Sequence, residues 1–173
     1  MSFVKGNTSI AVIMITLNEA HNLEEAINQL QNWASEIFVV DSFSTDKTIE
    51  ILNKYEVIYK QRKFTNFGDQ WNYALKVFNI KSKFTMKLDP DERLTNKLKE
   101  RVTHNLKNKI YTGYSFDRVL FFMGKELPIS QEVVRIWQTG KARFTDVLVN
   151  ETPIIEGKVF KLNGKLLHLD SPD

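Results

Sequence analysis

Apolar runs alternate with amphipathic stretches along the first two thirds of the chain. The apolar runs predict strands of a parallel sheet at residues 10–16, 36–40, 57–59 and 84–88. Apolar residues recur at helical spacing over residues 23–33, 48–55, 71–78 and 98–106. Thr95 is predicted to cap the last of these helices. This order predicts an α/β architecture, with a mostly parallel central sheet flanked by helices.

The pattern changes after about residue 110. Residues 113–116 and 118–122 have the composition of strands, and glycines at positions 124, 140, 157 and 164 separate shorter β-like pieces. No linker rich in Pro, Gly or Ser and no repeat interrupts the sequence. We therefore expect residues 1–173 to form a single domain with a mixed, β-rich second half.

Polar residues gather where three of the predicted strands end, at residues 16–19, 41–46 and 89–92. In open parallel sheets, ligands bind outside the carboxyl ends of the strands. We therefore expect a ligand site at this edge of the sheet.

Asp89 and Asp91 are the most informative pair at that edge. In an extended backbone, residues two apart point to the same side, and Pro90 favours extended geometry at Asp89. Two such carboxylates repel each other unless a proton or a cation lies between them. Mg²⁺ and Mn²⁺ often bind one or two carboxylates together with substrate phosphates. The pair predicts a metal–diphosphate site, and a solvated acidic turn is the alternative.

Composition limits the kinds of site and partner that this chain can have. The 173 residues carry a net charge of +3 and include no cysteine, which excludes disulfides, zinc–thiolate sites and cysteine nucleophiles. This charge permits an anionic partner but does not predict nucleic-acid binding. The first residues lack a signal-peptide pattern and no apolar run is long enough to span a bilayer, so we expect a cytoplasmic protein. The glycines form neither a dinucleotide-binding fingerprint nor a P-loop.

Three segments together carry a resemblance to a known family. They are Thr16-Leu17-Asn18-Glu19, residues 39–46 (VVDSFSTD) and residues 88–92 (LDPDE). In this order, at the ends of predicted strands, they resemble the inverting glycosyltransferases of family 2, which have a GT-A fold. Within that family the chain is similar to bacterial enzymes that add sugars to lipopolysaccharide core or related glycans. The resemblance implies that residues 1–109 form a nucleotide-sugar-binding half and residues 110–173 an acceptor-side half.

The resemblance also implies a nucleotide-sugar donor, most often a UDP-sugar, and a bound Mn²⁺ or Mg²⁺. Asp41 would accept a hydrogen bond from the base, and its alternative role is that of a turn residue. The implied donor-binding residues are Thr16, Asn18, Glu19, Asp41, Ser44, Asp46, Gln70, Asn72 and Asp89. The implied metal ligands are Asp91, Asp89 and His168, and a purely structural role is the alternative for the histidine.

Inverting transfer is a single displacement in which an acceptor hydroxyl must lose a proton to a base. The resemblance places Glu151 as this base, although Asn150 stands where related enzymes often have histidine. Arg135 and Trp137 resemble an acceptor-side element, in which Trp137 would either stack on a sugar or pack in the core. The implied acceptor is a glycan or glycolipid. Many relatives continue into a tail that touches membrane, so peripheral contact with its inner face is a further expectation.

Phe43 departs from the family pattern, because it stands between two serines where glycine is common. An aromatic residue is not expected to adopt a positive φ. We therefore expect either a different turn or a ring that projects outward.

Three other functions compete with sugar transfer. A nucleotidyltransferase would carry a basic, glycine-rich loop after the first strand, where this chain has residues 17–22. A phosphatase with an Asp-x-Asp nucleophile would carry that motif on its first strand rather than its fourth. A non-catalytic nucleotide-binding or assembly subunit would bind the donor without turnover.

Overall fold

The computed structural model describes residues 1–108, 110–146 and 151–169. Strands and helices alternate in the first half: β1 Ile10–Thr16, α1 Ala20–Asn28, β2 Glu36–Asp41, α2 Thr48–Lys54, β3 Ile58–Gln61, α3 Phe67–Val77, β4 Phe84–Lys87, β5 Glu92–Leu94 and α4 Asn96–Leu106. The described part of the second half contains strands: β6 Gly113–Phe122, β7 Lys125–Gln138, β8 Ala142–Phe144, β9 Pro153–Ile155 and β10 Val159–Leu169.

One eight-stranded sheet joins the two halves, in the order β3-β2-β1-β4-β7-β6-β10-β5. β1 lies between β2 and β4 and is parallel to both. β7 is antiparallel to β4 and to β6, and β6 is parallel to β10. β8 and β9 form a separate antiparallel pair. The predicted α/β class, with a mostly parallel sheet and a mixed second half, is confirmed.

Alternate residues of β1 pack on opposite faces of the sheet. Ile10, Val12 and Met14 join a cluster with apolar residues of α1, α2 and α4. Ala11 and Ile13 join a second cluster, to which α3 and β8 contribute. Because helices cover both faces, β1 is apolar from Ile10 to Ile15 instead of alternating between apolar and polar residues.

Three elements differ from the predictions. β7 is one strand of 14 residues where short pieces were expected, because half of its residues are exposed and it lacks an apolar run. β5 was not predicted, since three residues are too few to show a period. The helix predicted over residues 23–33 ends at Asn28. Leu30 and Trp33 lie in the turns that follow, and their side chains are still buried.

Two local expectations have clear outcomes. The Thr95 side chain accepts a hydrogen bond from the backbone N–H of Leu98 at 3.2 Å, which confirms the helix cap. Phe43 adopts a φ of 62° and its side chain is 56% exposed. The expectation that an aromatic residue would avoid positive φ is therefore wrong, whereas the outward projection of the ring is confirmed.

Candidate active site

A cavity of about 420 Å³ opens at the carboxyl ends of β1 and β4. Glu19, Asp89 and Asp91 line it from the first half, and Arg135 and Glu151 line it from the second. All five were predicted as site residues from the sequence. The fold thus brings the acidic pair and the predicted base to one cavity.

A third carboxylate, Glu92, anchors the loop that carries the acidic pair. Glu92 is fully buried, and its Oε2 accepts a hydrogen bond from the backbone N–H of Asp89 at 3.0 Å. Its Oε1 accepts a hydrogen bond from Nη2 of Arg135 at 2.6 Å. These bonds tie the loop to β7 and so fix where Asp89 and Asp91 lie.

Asp89 lies between two buried cations. Its carboxylate is 3.2 Å from Nζ of Lys87 and 3.5 Å from Nη2 of Arg135. Burial alone would raise the pKa of Asp89, but the charges of Lys87 and Arg135 outweigh it and lower the pKa below its usual range. Asp89 is therefore a carboxylate held in its charged form.

Asp91 has a different environment. Burial, together with repulsion from Asp89, Glu92 and Glu19, raises the pKa of Asp91 to about 6, and His168 offsets only part of this rise. Oδ1 of Asp91 lies 3.7 Å from Nδ1 of His168. Both atoms are buried without a hydrogen-bond partner among the described residues. A carboxylate with too little counter-charge beside an unpartnered imidazole nitrogen fits a cation.

The protein side chains alone do not complete a metal centre. Within the described ranges, no three His, Cys, Asp or Glu side chains come close enough together to hold an ion. A Mg²⁺ or Mn²⁺ ion at Asp91 would therefore take its remaining ligands from substrate phosphate oxygens and water, as these ions commonly do.

Glu151 lies on the opposite wall, where its side chain is 14% exposed. Its Oε1 accepts a hydrogen bond from Nε1 of Trp71 at 3.1 Å and lies 3.2 Å from Nζ of Lys87. A partly exposed carboxylate held at one oxygen suits a general base. Asn150, which precedes it, lies outside the described residues.

A comparison with protein families decides the classification. The model of Glycosyl transferase family 2 matches residues 11–156. The chain belongs to glycosyltransferase family 2. The predicted family is confirmed, and the match includes both the acidic pair and Glu151.

Two similar proteins come from Rickettsia species. An uncharacterized glycosyltransferase of Rickettsia bellii (strain RML369-C) is 31% identical over 118 residues, which cover 68% of this chain and 38% of that protein. One from Rickettsia felis (strain ATCC VR-1525 / URRWXCal2) is 28% identical over 180 residues, covering 92% of this chain and 61% of that protein. The chain spans less than two thirds of the length of these curated relatives.

Solved structures show the same fold. The structure of S. aureus TarS 1-349 in complex with UDP-GlcNAc matches with a TM-score of 0.66 and 17% identity, over 95% of this chain and 59% of that one. The complex of TarS 1-349 with UDP matches with a TM-score of 0.56 and 23% identity, over 69% and 38%. This likeness confirms the predicted GT-A-type fold.

Five of the predicted donor-binding residues form one hydrogen-bond network. Oδ1 of the buried Asp41 accepts hydrogen bonds from the hydroxyls of Thr16 at 2.8 Å and Ser44 at 2.5 Å. Oδ1 of Asn18 accepts from backbone N–H groups of residues 45 and 46 at 2.8 and 3.3 Å. Asp46 accepts from the backbone N–H of Ala20 and that of Thr48. The network joins the loops after β1 and β2, and Asn18 and Asp46 remain exposed.

Three other predicted residues have protein partners away from the cavity. Gln70 is buried and donates to Oγ of Ser42 at 3.2 Å. Asn72 exchanges two hydrogen bonds of 2.8 Å with the backbone of Phe144 and so holds β8. Trp137 is 1% exposed and packs against Phe144, so the structure fits core packing for this ring.

Sequence reasoning did not select Lys87 or Glu92. A signal for Lys87 was present, because a lysine inside an apolar run, two residues before Asp89, lies on the same side of the strand as that carboxylate. Glu92 had no comparable signal, since its partner Arg135 is 43 residues away.

None of the described helices is both long and apolar enough to cross a bilayer.

Proposed function

We propose that this chain transfers a sugar from a UDP-sugar to a hydroxyl of a glycan or glycolipid, with inversion at the anomeric carbon. The observation that carries this proposal is the single cavity that Asp89 and Asp91 share with Glu151. The acidic pair comes from the end of β4, whereas Glu151 comes from the segment before β9. A donor held at the acidic pair and an acceptor beside Glu151 would therefore meet in the same cavity.

Glu151 is the general base of this proposal. Its two described partners, Trp71 and Lys87, both contact Oε1, so Oε2 is left to accept the acceptor's proton. A positioned carboxylate is suited to this step, and such groups contribute about 10²–10⁴-fold to rate. The acceptor oxygen forms the new bond to the anomeric carbon while the bond to the nucleotide diphosphate breaks.

The diphosphate requires positive charge as it leaves. Arg118 and Arg135 line the cavity and supply part of it. A Mn²⁺ or Mg²⁺ ion held by Asp91, with Asp89 and His168 as further candidate ligands, would stabilise the charge on the leaving diphosphate. The buried, unpartnered Oδ1 of Asp91 and Nδ1 of His168 support this assignment.

Several parts of the proposal rest on the family and its structures. A uridine donor is favoured because the TarS structures that share this fold hold UDP or UDP-GlcNAc. Asp41 and the loop residues around it are proposed to contact the nucleoside. A lipopolysaccharide-type acceptor, and a cytoplasmic location with peripheral contact to the inner face of the membrane, are the acceptor and location we propose.

Donor binding tests the proposal first. In a thermal-shift panel of UDP-, GDP-, CMP- and dTDP-linked sugars, we expect UDP species to raise Tm and Mn²⁺ to enlarge the rise, because a ligand that binds only the folded state stabilises it. Asp91→Ala should abolish the effect of Mn²⁺. Glu100→Ala, on the exposed face of α4, is the matched control and should behave as the unaltered chain. If Asp89→Ala and Asp91→Ala both bind UDP and metal unchanged, the site is wrong.

Turnover tests the role of Glu151. Glu151→Gln keeps the size of the side chain but removes the base, so UDP binding should persist while transfer falls by about 10²–10⁴-fold. Glu100→Gln controls for the same change at an exposed position. Full activity in Glu151→Gln would remove Glu151 as the base. Donor binding without turnover in the unaltered chain would favour the non-catalytic alternative.

A further inference from the structure

A buried lysine lies against the cavity. Lys87 is the last residue of β4, and its side chain is 2% exposed. Its Nζ lies 3.2 Å from Oε1 of Glu151, 3.2 Å from Oδ1 of Asp89 and 4.6 Å from the centre of the Trp71 ring. Removing an ammonium group from water is costly unless it is paired, so this lysine is held by the carboxylates that it contacts.

Both described protein contacts of the Glu151 carboxylate are made by the same oxygen, Oε1. Nε1 of Trp71 and Nζ of Lys87 both approach Oε1, at 3.1 and 3.2 Å. Within the described ranges, no protein group donates a hydrogen bond to Oε2 of Glu151. The hydrogen bond from Trp71 and the ion pair with Lys87 hold one oxygen of the carboxylate and leave the other oxygen for a ligand.

Asp89 and Glu151 depend on Lys87 to different degrees. Asp89 has a second cation, Arg135, at 3.5 Å. Among the described residues, Lys87 is the one cation within ion-pair distance of Glu151. Loss of the Lys87 charge would therefore leave Glu151 with the Trp71 hydrogen bond alone among its described contacts, whereas Asp89 keeps a cation.

We propose that Lys87 is a positioning residue which, together with Trp71, holds Glu151 so that its second oxygen faces the acceptor hydroxyl. This inference rests on the proposed role of Glu151 as general base. Lys87 and Asp89 lie two residues apart, on the same side of the chain as it leaves β4. The segment that carries the donor-side carboxylate therefore also places the base. Lys87 acts through Glu151 and does not touch the reacting atoms.

Kinetics on matched variants test the proposal. The assay follows UDP release from UDP-GlcNAc with water as acceptor, and UDP affinity is measured by calorimetry. Lys87→Met should lower kcat by roughly 10²-fold and leave the Kd for UDP within about twofold, because Arg135 still pairs with Asp89. Lys87→Arg should recover part of kcat. Lys83→Met makes the same change at an exposed lysine just before β4 and should match the unaltered chain.

The double variant separates positioning from an independent effect. If Lys87 acts through Glu151, Lys87→Met combined with Glu151→Gln is no slower than Glu151→Gln alone. If Glu151→Gln slows turnover but the two effects multiply, the Lys87 inference is overturned and the proposed function stands. If Glu151→Gln is as fast as the unaltered chain, the proposed base fails, and the inference fails with it.

Crystal structures of the variants test the positioning role of Lys87 even if the chain does not turn over UDP-GlcNAc. In crystal structures of Lys87→Met and of Trp71→Phe, which removes the indole N–H but keeps an aromatic ring, the Glu151 carboxylate should leave its position. In Lys87→Arg it should stay. A Glu151 carboxylate unmoved in both Lys87→Met and Trp71→Phe overturns the proposal.

Discussion

Two fully buried carboxylates in the described part of the chain are stabilised by different kinds of hydrogen-bond donor. Asp41 and Glu92 are both 0% exposed. Asp41 accepts hydrogen bonds from neutral groups only: two hydroxyls, the backbone N–H of Ser44 and the amide of Gln61. Glu92 accepts from the Arg135 guanidinium, with Arg118 at 3.7 Å. Neutral donors satisfy the buried carboxylate at one loop of the sheet, and charged donors satisfy the buried carboxylate at another.

The two solutions differ in what they hold together. The partners of Asp41 come from β1, from its own turn and from β3, all within the first half of the chain. The charged partners of Glu92 come from β6 and β7, in the second half of the chain. Asp41 thus organises a loop locally, whereas Glu92 ties the loop of Asp89 and Asp91 to the far side of the cavity. Removing partners from each carboxylate measures how unequal these roles are.

The largest effect is expected where a charge loses its counter-charge. Arg135→Met leaves the Glu92 carboxylate buried beside only the backbone N–H of Asp89 and the more distant Arg118. The free energy of unfolding should fall by about 3–5 kcal/mol, the usual cost of breaking a buried ion pair from one side. Urea unfolding followed by circular dichroism measures the change.

A double variant is the control for Arg135→Met. Adding Glu92→Gln removes the stranded charge and keeps an acceptor for the backbone of Asp89, so most of the lost stability should return. If Arg135→Met alone costs less than about 1 kcal/mol, then Arg118 replaces the lost cation. The contrast between the two carboxylates would then be smaller than the contacts suggest.

A smaller effect is expected at the neutral network. Asp41→Ala leaves the donors of Thr16, Ser44 and Gln61 without their acceptor. Stranded buried donors cost about 1–3 kcal/mol, so the free energy of unfolding in urea should fall by that amount. Asp41→Asn should lose less, because the two hydroxyls can turn and accept from the new amide. Equal losses in Asp41→Ala and Arg135→Met would contradict the difference drawn between the two sites.

The sequence predicted the first half well for a physical reason. Strands covered by helices on both faces are continuous apolar runs, so β1, β2 and β4 were recognisable from composition alone. β7 was not, since half of its residues are exposed and it has no single apolar face to set a period. Its pairing with β4 and β6 depends on tertiary contacts that a local pattern does not contain.

The candidate site divides in a similar way. Asp89 and Asp91 could be selected because motif and strand position both pointed to them, and Glu151 because the family resemblance places an acid there. Lys87 and Glu92 could not be given roles, since their decisive partners, Glu151 and Arg135, lie in the other half of the chain. Sequence motifs found the groups proposed to meet the substrate, and the structure added the residues that hold them in place.

The smallest expected effect concerns the backbone of the Asp41 turn. Phe43 has a φ of 62° and an exposed ring, so Phe43→Ala removes little packing but keeps the Cβ that disfavours this conformation. Phe43→Gly also removes the Cβ. We expect the glycine variant to be more stable than the alanine variant by about 1 kcal/mol in urea unfolding, because glycine adopts positive φ without strain. If alanine is equally stable, the turn relaxes to another conformation, and the hydrogen bonds from Ser44 to Asp41 do not impose the positive φ.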